Sequence, residues 1–143
     1  MIAPVALAAA LALALSGCGA TTPAATTTAT PTPASISVPP GGELLRDYGL
    51  SNAPANLAVP AGLVISGTVD QPNVVTLVTT SVNADVPGFL RDRLAGWGYR
   101  IEADANGSII FTNDAWEGAW TCSSTECGLT VRNLLAAPVK RGS

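Results

Sequence analysis

The first fifteen residues, MIAPVALAAALALAL, carry no charged side chain, and the run breaks at Ser16, Gly17 and Cys18. A run of about 15 apolar residues suits the central stretch of an export signal and falls short of the roughly 20 that a permanent membrane helix needs. Behind it, from Gly19 to Pro40, lies a stretch of Thr, Ala and Pro without one charge. Such a composition cannot bury enough apolar surface to offset the entropy of ordering it. Export segment and spacer together leave about 90 to 100 residues to fold, enough for one modest core. The 48% of hydrophobic residues against 12% charged is therefore misleading, because the Ala/Leu-rich start supplies much of it.

Leu15-Ser16-Gly17-Cys18 resembles the lipobox of bacterial lipoproteins, in which a leucine and two small residues precede a cysteine that receives diacylglycerol. The resemblance implies cleavage after residue 17, a lipid on Cys18 and a protein held at the extracytoplasmic face of the cell membrane. Each buried methylene contributes about 0.8 kcal/mol, so two or three acyl chains anchor firmly where one does not. The prolines at 23, 31, 33, 39 and 40 favour extended chain of about 3.1 Å per residue, a tether that sets the folded part off the membrane. Thr26, Thr27 and Thr28 resemble the O-glycosylated stalks of actinobacterial lipoproteins, and a plain disordered spacer is the simpler reading. Six arginines to the single Lys140, with abundant Ala, Thr, Gly and Pro, resemble the usage of GC-rich genomes.

The charges exclude more than they identify. A net charge of -3, with only 7 scattered Lys and Arg, argues against nucleic acid as a partner. The chain has no histidine, which removes the commonest general base and the commonest zinc ligand together. No cofactor or metal is expected.

The rest reads as an α+β domain over 62–135, preceded by a lead-in over 43–61 and followed by a flexible tail over 136–143. In the lead-in, Leu44, Leu45 and Tyr48 suit one short helix ended by Gly49. Leu63–Val69 and Val74–Val82 are β-branched runs around Asp70-Gln71-Pro72-Asn73, a hairpin signature. The second run is apolar on both parities, which predicts a central strand covered on part of both faces. Asp85 is a helix-cap candidate before VPGFLRDRLAGWGY, where Val86, Phe89, Leu90, Leu94 and Trp97 share one face and Gly98 terminates. Tyr99–Ala103 alternates Tyr99, Ile101 and Ala103 inward, and Asn106-Gly107 marks a tight turn into Ser108–Thr112. A third hairpin, WEGAWTC to CGLTVRN, ends the domain. The predicted order is β-β-α-β-β-β-β, an antiparallel sheet of about six strands with one helix on one face. Together with Ala95-Gly96-Trp97-Gly98-Tyr99, this pattern resembles small bacterial lipoprotein domains that follow a Thr/Pro tether; the resemblance implies no activity.

With Cys18 lipidated, Cys122 and Cys127 remain, bracketing a four-residue turn outside the cell. They are expected to form a disulfide that pins the register of the hairpin. Trp116 and Trp120 share a parity and so one side of a strand. They are either core or an exposed aromatic strip suited to glycan or protein contact. Asp114 and Glu117 beside them would, in another setting, suggest glycan hydrolysis by paired carboxylates. In order of preference the chain is read as an envelope binding module for a protein or glycan, as a structural or secretory adaptor without a small ligand, and last as an enzyme.

Overall fold

A computed structural model describes residues 36–136; the run read as an export signal, Cys18, most of the stretch read as a tether and the end of the expected tail lie outside the described residues. Two hydrogen-bonded sheets form. Strands β1 (Gly42–Leu44) and β2 (Ala58–Pro60) make a small antiparallel pair. Strands β3 (Ile65–Gln71), β4 (Val74–Thr79), β5 (Arg100–Ala105), β6 (Ser108–Thr112), β7 (Trp116–Cys122) and β8 (Cys127–Asn133) form a six-stranded antiparallel sheet in the order β3-β4-β8-β7-β6-β5. The chain makes the β3-β4 hairpin, crosses by helix α1 (Val86–Arg93) to the far edge, and returns as a four-strand meander until β8 pairs with β4. The class is α+β with a single α-helix; the six strands of the large sheet and the helix follow the predicted order along the chain, and the small β1-β2 pair is an addition to it.

The local chemistry explains the elements. Asp85 caps α1 by accepting from the Gly88 N–H at 2.9 Å, Pro87 stands in the first turn, and Arg91 and Arg93 sit in the last. The helix is shorter than its apolar periodicity predicts: it ends at Arg93, and Ala95–Trp97 tightens into a 3-10 turn closed by left-handed Gly98 (φ +83°). Trp97 still reaches Phe89, with ring centroids 6.3 Å apart. Asn106 and Gly107 both take positive φ in the β5-β6 turn, the pair of conformations that a two-residue hairpin of this hand requires.

One face of the large sheet holds the core. Val75, Leu77, Ile109, Phe111, Trp120, Leu129 and Val131 point into it and are closed to solvent. Val86 and Leu90 of α1, with Leu94 just past its end, cover part of that face. The remainder is covered by the segment read from sequence as a lead-in, and this is a correction. Leu44, Leu45, Leu50, Leu57 and Val59 are buried in the same core, with a 3-10 turn at Leu45–Tyr48 and strands β1 and β2 on either side. Its short apolar runs, interrupted by Pro54 and Pro60, hid this role. Fully burying a side chain of this size contributes about 1.5–3 kcal/mol, so the segment is integral to the domain.

Both edge strands carry a bulge, between Ile65 and Gly67 in β3 and between Ile101 and Ala103 in β5. A bulge shifts the alternation of side chains by one. Consequently Ala103 faces Ile110 on the outer side rather than pointing inward, and Ile101 is 37% exposed at the edge, correcting the simple alternation read for this strand. The same shift brings Asp70 and Asp104 to the inner side, where each holds the covering layer. The Asp70 carboxylate accepts from the Ser51 hydroxyl (2.6 Å) and from the backbone N–H groups of Ser51 and Asn52 (3.0 Å each). Asp104 accepts two bonds from the Arg91 guanidinium, at 2.6 and 2.9 Å. The Ser51 hydroxyl, followed by the backbone donors, holds Asp70 below the usual carboxylate range, and the Arg91 hydrogen bond does the same for Asp104.

Candidate functional site

The opposite face of the six-stranded sheet has no covering layer among the described residues. The strand registers set its side chains in rows. A central row runs Val69, Thr76, Thr130, Ala119, Ile110 and Ala103 across all six strands without a charge. A row toward one end runs Gln71, Val74, Arg132, Glu117, Thr112 and Arg100, and a shorter one at the other end runs Gly67, Val78, Gly128 and Thr121.

Val69 and Ile110 are 45% and 41% exposed, and Val74, Val78 and Ala119 are half-buried. The hydroxyls of Thr76 and Thr130 lie 3.2 Å apart across the central strands. Near the middle Arg132 donates to Glu117 at 2.7 Å, with side chains 60% and 44% exposed, so both have polar capacity turned to solvent. A shallow hollow of about 250 Å³ lies between this pair and Val74, Ala119 and Thr130.

The sequence-predicted site residues fall as follows. Trp120 is wholly buried on the inner face, its indole N–H without an acceptor among the described residues, and Trp116 packs half-buried against the same core. The exposed aromatic strip is therefore corrected: the shared parity was right, and the shared side is the one that α1 and residues 42–60 close. The carboxylate pair does not assemble with it either. Glu117 has the other parity on β7 and is engaged by Arg132, while Asp114 stands exposed in the turn before the strand. Cys122 and Cys127 face each other across the β7-β8 hairpin and are disulfide-bonded, Cα to Cα 4.0 Å. Leu15, Ser16, Gly17 and Cys18 lie outside the described residues.

Comparison with known proteins finds no matching family model, no matching curated protein and no matching solved structure. The site is thus read from its own geometry. Among the described residues no three His, Cys, Asp or Glu side chains gather as a metal site, and no helix is long and apolar enough to cross a membrane. What remains is a broad surface of mostly small and β-branched side chains, with the Arg132–Glu117 pair on the two middle strands and Arg100 at one edge. Its chemistry suits packing against another surface. The sequence signal for it was present in β4, whose apolar residues on both parities marked Val74 and Val78 as suited to cover. Only the fold shows that this cover is not supplied from within residues 36–136.

Proposed function

We propose that this chain is an exported lipoprotein, anchored by lipid on Cys18 at the extracytoplasmic face of a bacterial membrane, and that its folded domain works by docking through the open face of the large sheet. The observation that carries the anchor is Leu15-Ser16-Gly17-Cys18 standing directly after an apolar run of signal-peptide length. A disulfide between Cys122 and Cys127 supports the same address, because such bonds persist in oxidising compartments. Docking is supported by the uncovered face itself, where Val69, Thr76, Thr130, Ala119 and Ile110 cross the sheet without a charge. With Trp120 buried, the aromatic platform that would favour a glycan is missing from the surface, so a protein partner is the better fit.

The test is the intact mass of the mature N-terminus after expression of the full-length chain in a bacterial host. The expected result is a chain beginning at Cys18, heavier by diacylglycerol and recovered in the membrane fraction. The Cys18→Ala variant should retain residues 1–17 and carry no lipid. An unmodified, uncleaved wild-type chain would overturn the anchor.

A further inference from the structure

We infer that the occupant of the open sheet face is a second copy of this chain, packed face to face about a two-fold axis that runs along the strands between β7 and β8. The inference deepens the docking reading above and rests on it. The observation is the placement of charge. The sheet order β3-β4-β8-β7-β6-β5 puts three strands on either side of the β8-β7 boundary, and the exposed pair Arg132 and Glu117 straddles that boundary in register.

Rotation about an axis on this boundary exchanges the two halves of every row. Arg132 of one copy then lies over Glu117 of the other, and Glu117 over Arg132. The intrachain pairs become a closed ring of four alternating charges. Along the same row Val74 meets Thr112, and Gln71 meets Arg100. In the central row Thr130 meets Ala119, Thr76 meets Ile110 and Val69 meets Ala103; beyond it Gly128 meets Thr121. No charge is brought against its like, and in the central row the larger Ile110 and Val69 are set against Thr76 and Ala103, which suits interdigitation at the roughly 10 Å separation of stacked sheets.

The area agrees. Six strands at about 4.8 Å spacing and rows about 7 Å apart give roughly 500–600 Å² on each copy, about 1,000–1,200 Å² in all, at the lower limit for a specific interface. Confinement to one membrane raises the effective concentration of the two copies. The axis direction suits that confinement. Rotation about a line parallel to the strands leaves each residue at its own position along that line, so the first described residues of both copies, at 36, lie at the same level along the axis.

The experiment is sedimentation of the full-length lipidated chain in detergent, at about 10–100 µM, with thermal melting of each variant recorded beside it. Wild type is expected at the mass of two chains. Arg132→Glu gives each copy two acids at the centre and Glu117→Arg gives each copy two bases. Each variant alone should therefore sediment as one chain, its dissociation constant raised at least tenfold, roughly, by facing like charges. An equimolar mixture of the two should recover the two-chain mass, which neither an unfolded variant nor shared occupancy of a micelle would produce. A single-chain wild type overturns the inference, as does a two-chain mass that persists in each variant or a mixture that stays single. Because the lipid on Cys18 and the oligomeric state are read by separate measurements, loss of the dimer leaves the anchored docking module standing, and loss of the anchor leaves the dimer standing.

Discussion

The two faces of the large sheet are built from the same strands and differ in almost everything else. The inner face carries Trp120, Phe111, Ile109, Leu77 and Leu129, closed over by α1 and by residues 42–60. The outer face carries mostly threonines, valines and small residues, with the exposed Arg132–Glu117 pair on its middle strands. Size is the main distinction. The inner face fills a volume against a curved layer and needs large side chains. The outer face is graded flat, with Gly67 and Gly128 leaving backbone within reach, which is what a surface needs if another sheet is to approach closely. Folding energy therefore resides on the inner side, the docking proposed above would use the outer one, and substitutions should separate the two.

The largest contrast is between Trp120 and Thr130, which lie on neighbouring strands and opposite faces. Trp120→Ala leaves a cavity in the centre of the core and should cost about 3–5 kcal/mol. Part of that is offset because the indole N–H is buried without an acceptor. Thr130→Ala loses only a hydroxyl contact with Thr76 at the surface and should change stability by no more than about 0.5 kcal/mol. Urea unfolding of both variants in dilute solution checks this. Equal losses would mean that the outer face is as important to folding as the inner.

A finer contrast uses two glycines. A Cβ at Gly118 would run into the buried ring of Phe111, whereas one at Gly128 would meet nothing nearer than the Leu77 carbonyl at 3.7 Å. Gly118→Ala should therefore destabilise by about 1–3 kcal/mol through overpacking. Gly128→Ala should be neutral or gain up to about 1 kcal/mol, since glycine within a strand loses the most chain entropy on folding. Comparison of the two denaturation midpoints decides it.

How far this division was legible beforehand depended on the range of the interaction involved. Local signals worked: the Asp85 cap, the Gly98 terminator, the Asn106-Gly107 turn and the Cys122/Cys127 hairpin all rest on contacts within a few residues, and the succession of elements along the chain from the first hairpin on followed from them, whereas the pairing of β4 with β8 did not. Trp116 and Trp120 were placed on one side of one strand, but which side is a property of what packs there. That depends on Leu45, Leu50, Leu57 and Val59, whose runs are too short and too broken by turns to show a period. The bulges were invisible for the same reason. They arise from pairing between strands, and each turns an otherwise ordinary surface aspartate into a brace for the covering layer.

Those two braces give the smallest effect and the sharpest one, because they act at the edges where the covered face meets the open one. Asp70 is held by neutral donors and Asp104 by a charged one. Both carboxyls titrate lower in the folded chain than the value of about 3.9 expected in the unfolded one. Each therefore contributes stability that is fully present above that value and is lost as pH falls through the lower folded one. Asp70→Asn and Asp104→Asn should each melt below wild type at neutral pH, and each difference should close as pH falls through that carboxyl's lowered folded value. Salt then tells the braces apart. At high ionic strength the Asp104 difference should shrink, since screening weakens its attraction to Arg91, while the Asp70 difference should persist because Ser51 and Asn52 carry no charge to screen. Melting curves on a grid of pH and salt make the measurement; an Asp70 difference that fades with salt would mean that net charge at the sheet edge, and not the hold on residues 51 and 52, is what keeps the covering layer closed.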